Sequence, residues 1–212
     1  MAEEKQRFVL GVDLDGVCAD FIGGLRPIAA EWLGVKEEAL NSEPTYGFPE
    51  WELEKIGGDD AYNKLHLYAI TQRDMFSNLL AIKDAPVVLR RLAYVYKVRI
   101  RIITHRLFVP HFHETAIRQT VAWLDRQGIP YYDLCFMKEK AAVGADLYIE
   151  DSPSNVEALR GDGHETIVFA NSTNKGLPDP RTNDWQEVER LVLAAMERWK
   201  TRGGEKHKSA GV

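Results

Sequence analysis

Five short apolar runs punctuate the chain, and each stops abruptly at polar residues. Phe8 to Val12 ends at Asp13, Val98 to Ile103 at Thr104, and Asp133 to Met137 at Lys138. Asp146 to Ile149 ends at Glu150 and Asp151, and Thr166 to Phe169 leads into the polar stretch Asn171 to Asn174. Short, mostly apolar runs that stop abruptly are what buried parallel strands leave in a sequence. Between them, apolar residues at helical spacing predict helices over Asp84 to Tyr96, His113 to Gln127, Ser154 to Leu159 and Trp185 to Trp199. Strands alternating with helices predict a doubly wound, Rossmann-like α/β fold with a parallel sheet of about five strands.

The segment 17–83 breaks this alternation. Helical stretches, Phe21 to Leu33 and Asp59 to Gln72, flank a turn-rich middle from Asn41 to Phe48, and no strand pattern occurs. It predicts a small helical cap inserted after the first strand, over the carboxyl edge of the sheet. The expected division is an α/β core from 1–16 and 84–199, a cap from 17–83, and a tail, 200–212, too poor in apolar residues to fold.

The strand-end residues carry the chemistry. In an open parallel sheet the carboxyl ends of the strands border one crevice. Asp13, Thr104, Lys138 or Lys140, and Glu150 with Asp151 are therefore expected to meet in space. Several carboxylates beside one lysine and one hydroxyl are costly to assemble unless a divalent cation belongs among them. Asp13 is placed to attack phosphorus, with Gly16 allowing a tight turn after it. Asp15, two residues on, is placed to protonate the leaving oxygen and then activate water. Oxygen ligands from Asp13, Asp151 and the backbone carbonyl of Asp15 suit Mg²⁺. Thr104 can donate to phosphoryl oxygens, and the lysine can offset their charge.

Composition narrows the partner. A net charge of −5 on 212 residues leaves no basic field for a nucleic-acid polymer. No apolar run approaches the roughly 18 residues of a membrane span, and Met1 to Arg7 lacks the apolar stretch of a signal peptide. The two cysteines, Cys18 and Cys135, have no metal-ligand spacing. The expected setting is cytoplasmic and the expected partner a small phosphate ester, with a homodimer left open. His105, His111 and His113 match no helical two-histidine pattern, and Pro110 interrupts them, so no transition-metal site is expected.

The motifs Val12-Asp13-Leu14-Asp15-Gly16-Val17, Ile102-Ile103-Thr104, Lys140 and Tyr148-Ile149-Glu150-Asp151 resemble, in order, those of the haloacid-dehalogenase superfamily of phosphotransferases. The cadence from Glu139 to Asp151 is most similar to the deoxyribonucleotidase (5′-nucleotidase type C) family. The resemblance implies Asp13 as nucleophile, Asp15 as acid/base, Thr104 as phosphate donor, Lys140 rather than Lys138 as the lysine, and Asp151 as a metal ligand. It departs at Glu150, where the family has a second aspartate, and at His105, where a small hydroxyl residue is usual. His105, beside Thr104, is a candidate substrate contact. So are Phe48 and Trp51 in the cap, with Tyr46 near them, whereas Arg73 reads as an exposed helix arginine.

The reaction implied is Mg²⁺-dependent hydrolysis of a phosphate monoester through an aspartyl-phosphate, with a (deoxy)nucleoside 5′-monophosphate as substrate. A sugar phosphate is the rival within the same chemistry. A receiver-type signalling module would need its aspartate after a middle strand, and the third strand ends without one. A non-catalytic binding protein is disfavoured because every catalytic residue type is present.

Overall fold

The first strand, β1 (Val9–Val12), lies inside a six-stranded sheet, with Leu10 and Val12 wholly buried. Its companions are β2 (Arg99–Thr104), β3 (Asp133–Phe136), β4 (Leu147–Glu150), β5 (Thr166–Phe169) and β6 (Arg181–Thr182). The computed structural model describes residues 7–108 and 110–202. All strands are parallel, in the order β3-β2-β1-β4-β5-β6. The chain thus winds outward from β1 through β2 to β3, then returns to the other side of β1 as β4. That reversal opens a crevice at the carboxyl ends of β1 and β4, where ligands bind in doubly wound sheets.

Register decides which residues face the crevice. Val12 pairs with Ile102 on one side and Ile149 on the other. Asp13, Thr104 and Glu150 therefore emerge at nearly the same height. The Asp13 N–H extends the ladder by one bond, to the Ile149 carbonyl at 3.1 Å.

The sheet has one strand more than the apolar pattern predicts. β6 is two residues long, polar and at the edge, held by the Val168 N–H to the Pro180 carbonyl and the Ala170 N–H to the Thr182 carbonyl, each 2.9 Å. A strand this short, paired on one side only, needs no apolar run and leaves no signal of one.

The helices are α1 (Phe21–Leu33), α2 (Glu54–Gly57), α3 (Ala61–Arg73), α4 (Met75–Asn78), α5 (Ala85–Tyr94), α6 (His113–Gln127), α7 (Pro153–Gly161) and α8 (Trp185–Thr201). The first four form the insert after β1. It leaves and rejoins the sheet at one point, where Ala19 bridges Ala81, the Asp20 N–H reaches the Leu80 carbonyl at 2.9 Å and the Ile82 N–H reaches the Cys18 carbonyl at 2.8 Å. Asp20 caps α1 by accepting from the Gly23 N–H at 3.0 Å. The insert also rests on α6, through Trp123 Nε1 to the Leu79 carbonyl and Gln119 Nε2 to the Ile70 carbonyl, both 2.8 Å. One apolar cluster runs from sheet residues such as Leu10 and Val12 into insert residues Leu25, Leu65 and Phe76. Each such side chain contributes about 1.5–3 kcal/mol, so insert and sheet share a core. Helix α8 continues through Thr201, past the expected start of the tail; 203–212 lie outside the described residues.

Candidate active site

The carboxylate that follows β1 is buried, Asp13 being 7% exposed. Its Oδ1 accepts from Lys140 Nζ at 2.7 Å, and the same ammonium donates to Glu150 Oε2 at 2.6 Å. Lys140 opens a short 3-10 turn and is itself buried, whereas Lys138 is exposed. Glu150 has both oxygens engaged, since Oε1 accepts from the N–H groups of Asp151 (3.1 Å) and Ser152 (3.0 Å). It anchors the lysine and shapes the turn after β4.

Asp151 is held from two directions. Asn171 Nδ2 donates to its Oδ2 at 2.8 Å, and Asn174 Nδ2 donates to its backbone carbonyl at 2.8 Å. Across from it stands Gly16, with φ +79°; a Cβ there would lie 1.9 Å from Asp151 Oδ2. Both the left-handed backbone and the close approach demand glycine.

Oxygens of Asp13, Glu150 and Asp151 lie within 4.8 Å of one another. Burial pushes Asp13 up to about 7, and Glu150 pushes in the same direction against the pull of Lys140. Burial likewise raises Asp151 well above the carboxylate range, with Glu150 and Asp13 adding to it. Burial disfavours the charge on Lys140, but Asp13 and Glu150 outweigh it and hold the ammonium above its ordinary value. Three carboxylates thus face one ammonium, and the hard oxygen donors and surplus negative charge fit a divalent cation such as Mg²⁺.

Asp15 turns away from this cluster. Its carboxylate accepts two bonds from Arg106, from Nη2 at 2.6 Å and Nε at 2.9 Å. Arg106 is 2% exposed, sits 4.1 Å from the centre of the Phe76 ring, and donates to Thr120 Oγ1 at 3.1 Å. Sequence reasoning missed Arg106, although its place two residues past Thr104, in the same strand-end loop, was a usable signal.

A cavity of about 490 Å³ opens beside these groups. Asp13, Asp15, Thr104, His105, Lys140 and Asp151 line its polar end. Burial lowers the pKa of His105, and Lys140 and Lys138 lower it further, so its imidazole faces the cavity neutral. Phe21, Phe48, Tyr62, His66, Phe76 and Phe108 line the apolar remainder. Tyr46, largely exposed, stands at its edge with its hydroxyl 3.5 Å from Ser152 Oγ.

Trp51 corrects an expectation. It does not line the cavity; it is 2% exposed, stacks on Phe48 with centroids 4.7 Å apart, and gives its indole N–H to the Asn41 carbonyl at 2.9 Å. An indole has one polar atom, and a core position that satisfies it is as favourable as a ligand contact. His111 and His113 are exposed, and Arg73 pairs with Glu31 on the surface. His66 was missed because a histidine inside the α3 pattern carries no sign of facing a cavity.

The sheet, insert and strand-end acids together have the architecture of a haloacid-dehalogenase-like hydrolase. A hydrolase of that family from Streptococcus pneumoniae has the same fold at TM-score 0.59 and 14% identity, covering 88% of this chain and 99% of the other. A haloacid-dehalogenase superfamily hydrolase, subfamily IA, from Geobacter sulfurreducens gives TM-score 0.55 at 15% identity, covering 88% and 97%.

Residues 7–198 match the family described as "5′ nucleotidase, deoxy (Pyrimidine), cytosolic type C protein", and the chain belongs to it. Membership makes it a phosphoric monoester hydrolase. It is 52% identical over 190 residues to a Chlorobaculum tepidum protein named "Putative 5′(3′)-deoxyribonucleotidase", covering 90% of this chain and 92% of that one. It is 25% identical over 194 residues to the mitochondrial 5′(3′)-deoxyribonucleotidase of Mus musculus, covering 86% and 83%.

Proposed function

We propose that this enzyme hydrolyses (deoxy)nucleoside 5′-monophosphates by way of an aspartyl-phosphate on Asp13. The observation that carries the reading is the Lys140 clamp on Asp13, set at the polar end of a cavity walled by aromatic rings. The clamp orients one carboxylate oxygen and leaves the other for phosphorus, and the rings offer flat apolar faces to a nucleobase.

In the first half-reaction an Asp13 oxygen bonds to phosphorus as the bond to the leaving oxygen breaks. Asp15 gives its proton to that oxygen, and the nucleoside departs. In the second, Asp15 takes a proton from water as the water oxygen attacks phosphorus, the Asp13–phosphorus bond breaks, and inorganic phosphate leaves. Thr104 and Lys140 donate to the phosphoryl oxygens throughout. Arg106 holds both oxygens of Asp15, so the acid/base keeps one orientation. Asp13, Asp151 and the backbone carbonyl of Asp15 would hold Mg²⁺, which supplies positive charge against the phosphoryl oxygens. The segment 17–83 serves as the cap that contributes most of the aromatic wall, with Phe48 and Tyr46 nearest the substrate and His105 beside the phosphoryl group.

The test is phosphate release from a panel of nucleoside monophosphates, sugar phosphates and p-nitrophenyl phosphate with Mg²⁺ present. Nucleotides should be preferred, and Asp13→Asn should fall to background on every ester. A preference for sugar phosphates would displace the nucleotide reading. Turnover retained by Asp13→Asn would end the covalent mechanism.

A further inference from the structure

Within the aromatic wall one ring is not a hydrocarbon. His66 of α3 is 2% exposed, and Phe21, Tyr62, Phe76 and Phe108 surround it at centroid distances of 5.8, 5.7, 5.6 and 4.5 Å. Its Nδ1 has no hydrogen-bond partner among the described residues. Burial pushes its pKa down to about 4, Asp15 opposing and Arg106 assisting, so at neutral pH the imidazole is uncharged. Buried polar atoms are nearly always paired, and a phenylalanine would fill this box without the cost of desolvating a nitrogen. Nδ1 is closed off inside the aromatic box, but the ring forms part of the cavity wall, so a bound molecule can meet the imidazole only at its other nitrogen, Nε2.

The position of His66 indicates which part of the molecule it meets. Asp15 marks the leaving oxygen, Arg106 is bonded to Asp15, Phe76 lies under Arg106, and His66 packs on the edge of Phe76. His66 is therefore one ring layer beyond the group that handles the leaving oxygen. The aromatic wall continues past it through Tyr62 to Phe48, their centroids 5.9 Å apart. In a nucleotide the sugar follows the leaving oxygen, and the base lies further out. A sugar hydroxyl both donates and accepts, so it satisfies either tautomer of a neutral imidazole. A phosphate would prefer the cationic groups at the other end of the cavity.

We propose that Nε2 of His66 hydrogen-bonds a sugar hydroxyl of the leaving group, making His66 a specificity-determining residue. The assignment rests on the nucleotide reading above, and the experiment keeps the two apart. Wild type, His66→Phe and His66→Gln are compared on uridine 5′-monophosphate, 2′,3′-dideoxyuridine 5′-monophosphate and p-nitrophenyl phosphate. The wild-type profile alone tests the nucleotide reading. The ratio of variant to wild type tests His66. His66→Phe should lower kcat/KM about tenfold on uridine monophosphate, mainly through KM, the loss of one hydrogen bond. It should leave the dideoxynucleotide and the aryl phosphate within about twofold, and His66→Gln should recover part of the loss. An equal loss on all three esters would make His66 structural. An undiminished loss on the dideoxynucleotide would assign the contact to the base. Either result overturns the proposal.

Discussion

His66 and Asp13 are both driven toward their neutral forms by burial, with opposite consequences for stability. The folded state holds His66 neutral down to about pH 4, whereas the unfolded chain takes up its proton near 6.5. Between these values the unfolded state binds more protons, so stability is complete above pH 6.5 and is lost as pH falls toward 4. The shift corresponds to about 3 kcal/mol at most. A carboxyl raised by burial, as at Asp13, acts in the reverse sense, because its folded form takes a proton first. Wild type and His66→Phe share the carboxyls, so their difference isolates the histidine. Thermal melting from pH 7 to 4 should show wild type losing stability faster than the variant, and parallel curves would contradict the shift. The histidine's place inside α3 was legible in the sequence; its aromatic box and unmet nitrogen were not, because they depend on neighbours from α1, α4 and the loop after β2.

The elements themselves were largely legible. The helices Phe21–Leu33 and His113–Gln127 and the strand Thr166–Phe169 fall where the pattern predicts, because a core face must be apolar at the period of its element. β6 escaped because an edge strand of two polar residues needs only backbone partners. Trp51 was misread for a related reason: an aromatic in a turn-rich segment suggests a ligand contact, yet here it packs beneath Phe48 and satisfies its N–H internally. Trp51→Ala should cost about 3–5 kcal/mol by leaving a cavity. Trp51→Phe should cost less and leave KM for nucleotide near the wild-type value. A clear rise in KM with an unaltered melting temperature would restore Trp51 to the ligand-binding surface.

At the scale of the whole molecule, the outward winding from β1 and the return through β4 bring three carboxylates into one buried cluster. Among the described residues Lys140 alone opposes them there, so a cation that binds the folded state should stabilise it by mass action. Millimolar Mg²⁺, at about 100 times its Kd, should add about 2.7 kcal/mol, a rise of roughly 5–10 °C in Tm. Asp151→Asn should remove most of that rise. A Tm indifferent to Mg²⁺ would argue against a bound cation. The same cluster is the part of the site most visible beforehand: Asp13, Thr104, Lys140 and Asp151 follow strand ends or the turn before one, and the fold brings strand ends together.

What the sequence determined by itself was the alternation of buried strands with helices and the acids that end them, since a strand covered on both faces is largely apolar up to the carboxyl end where the crevice opens. The tertiary structure alone decided the pairings. It joined Arg106 to Asp15 across 91 positions, put Trp51 behind Phe48, and enclosed His66 in aromatic rings. Periodicity records which face of an element is covered, not which residue covers it.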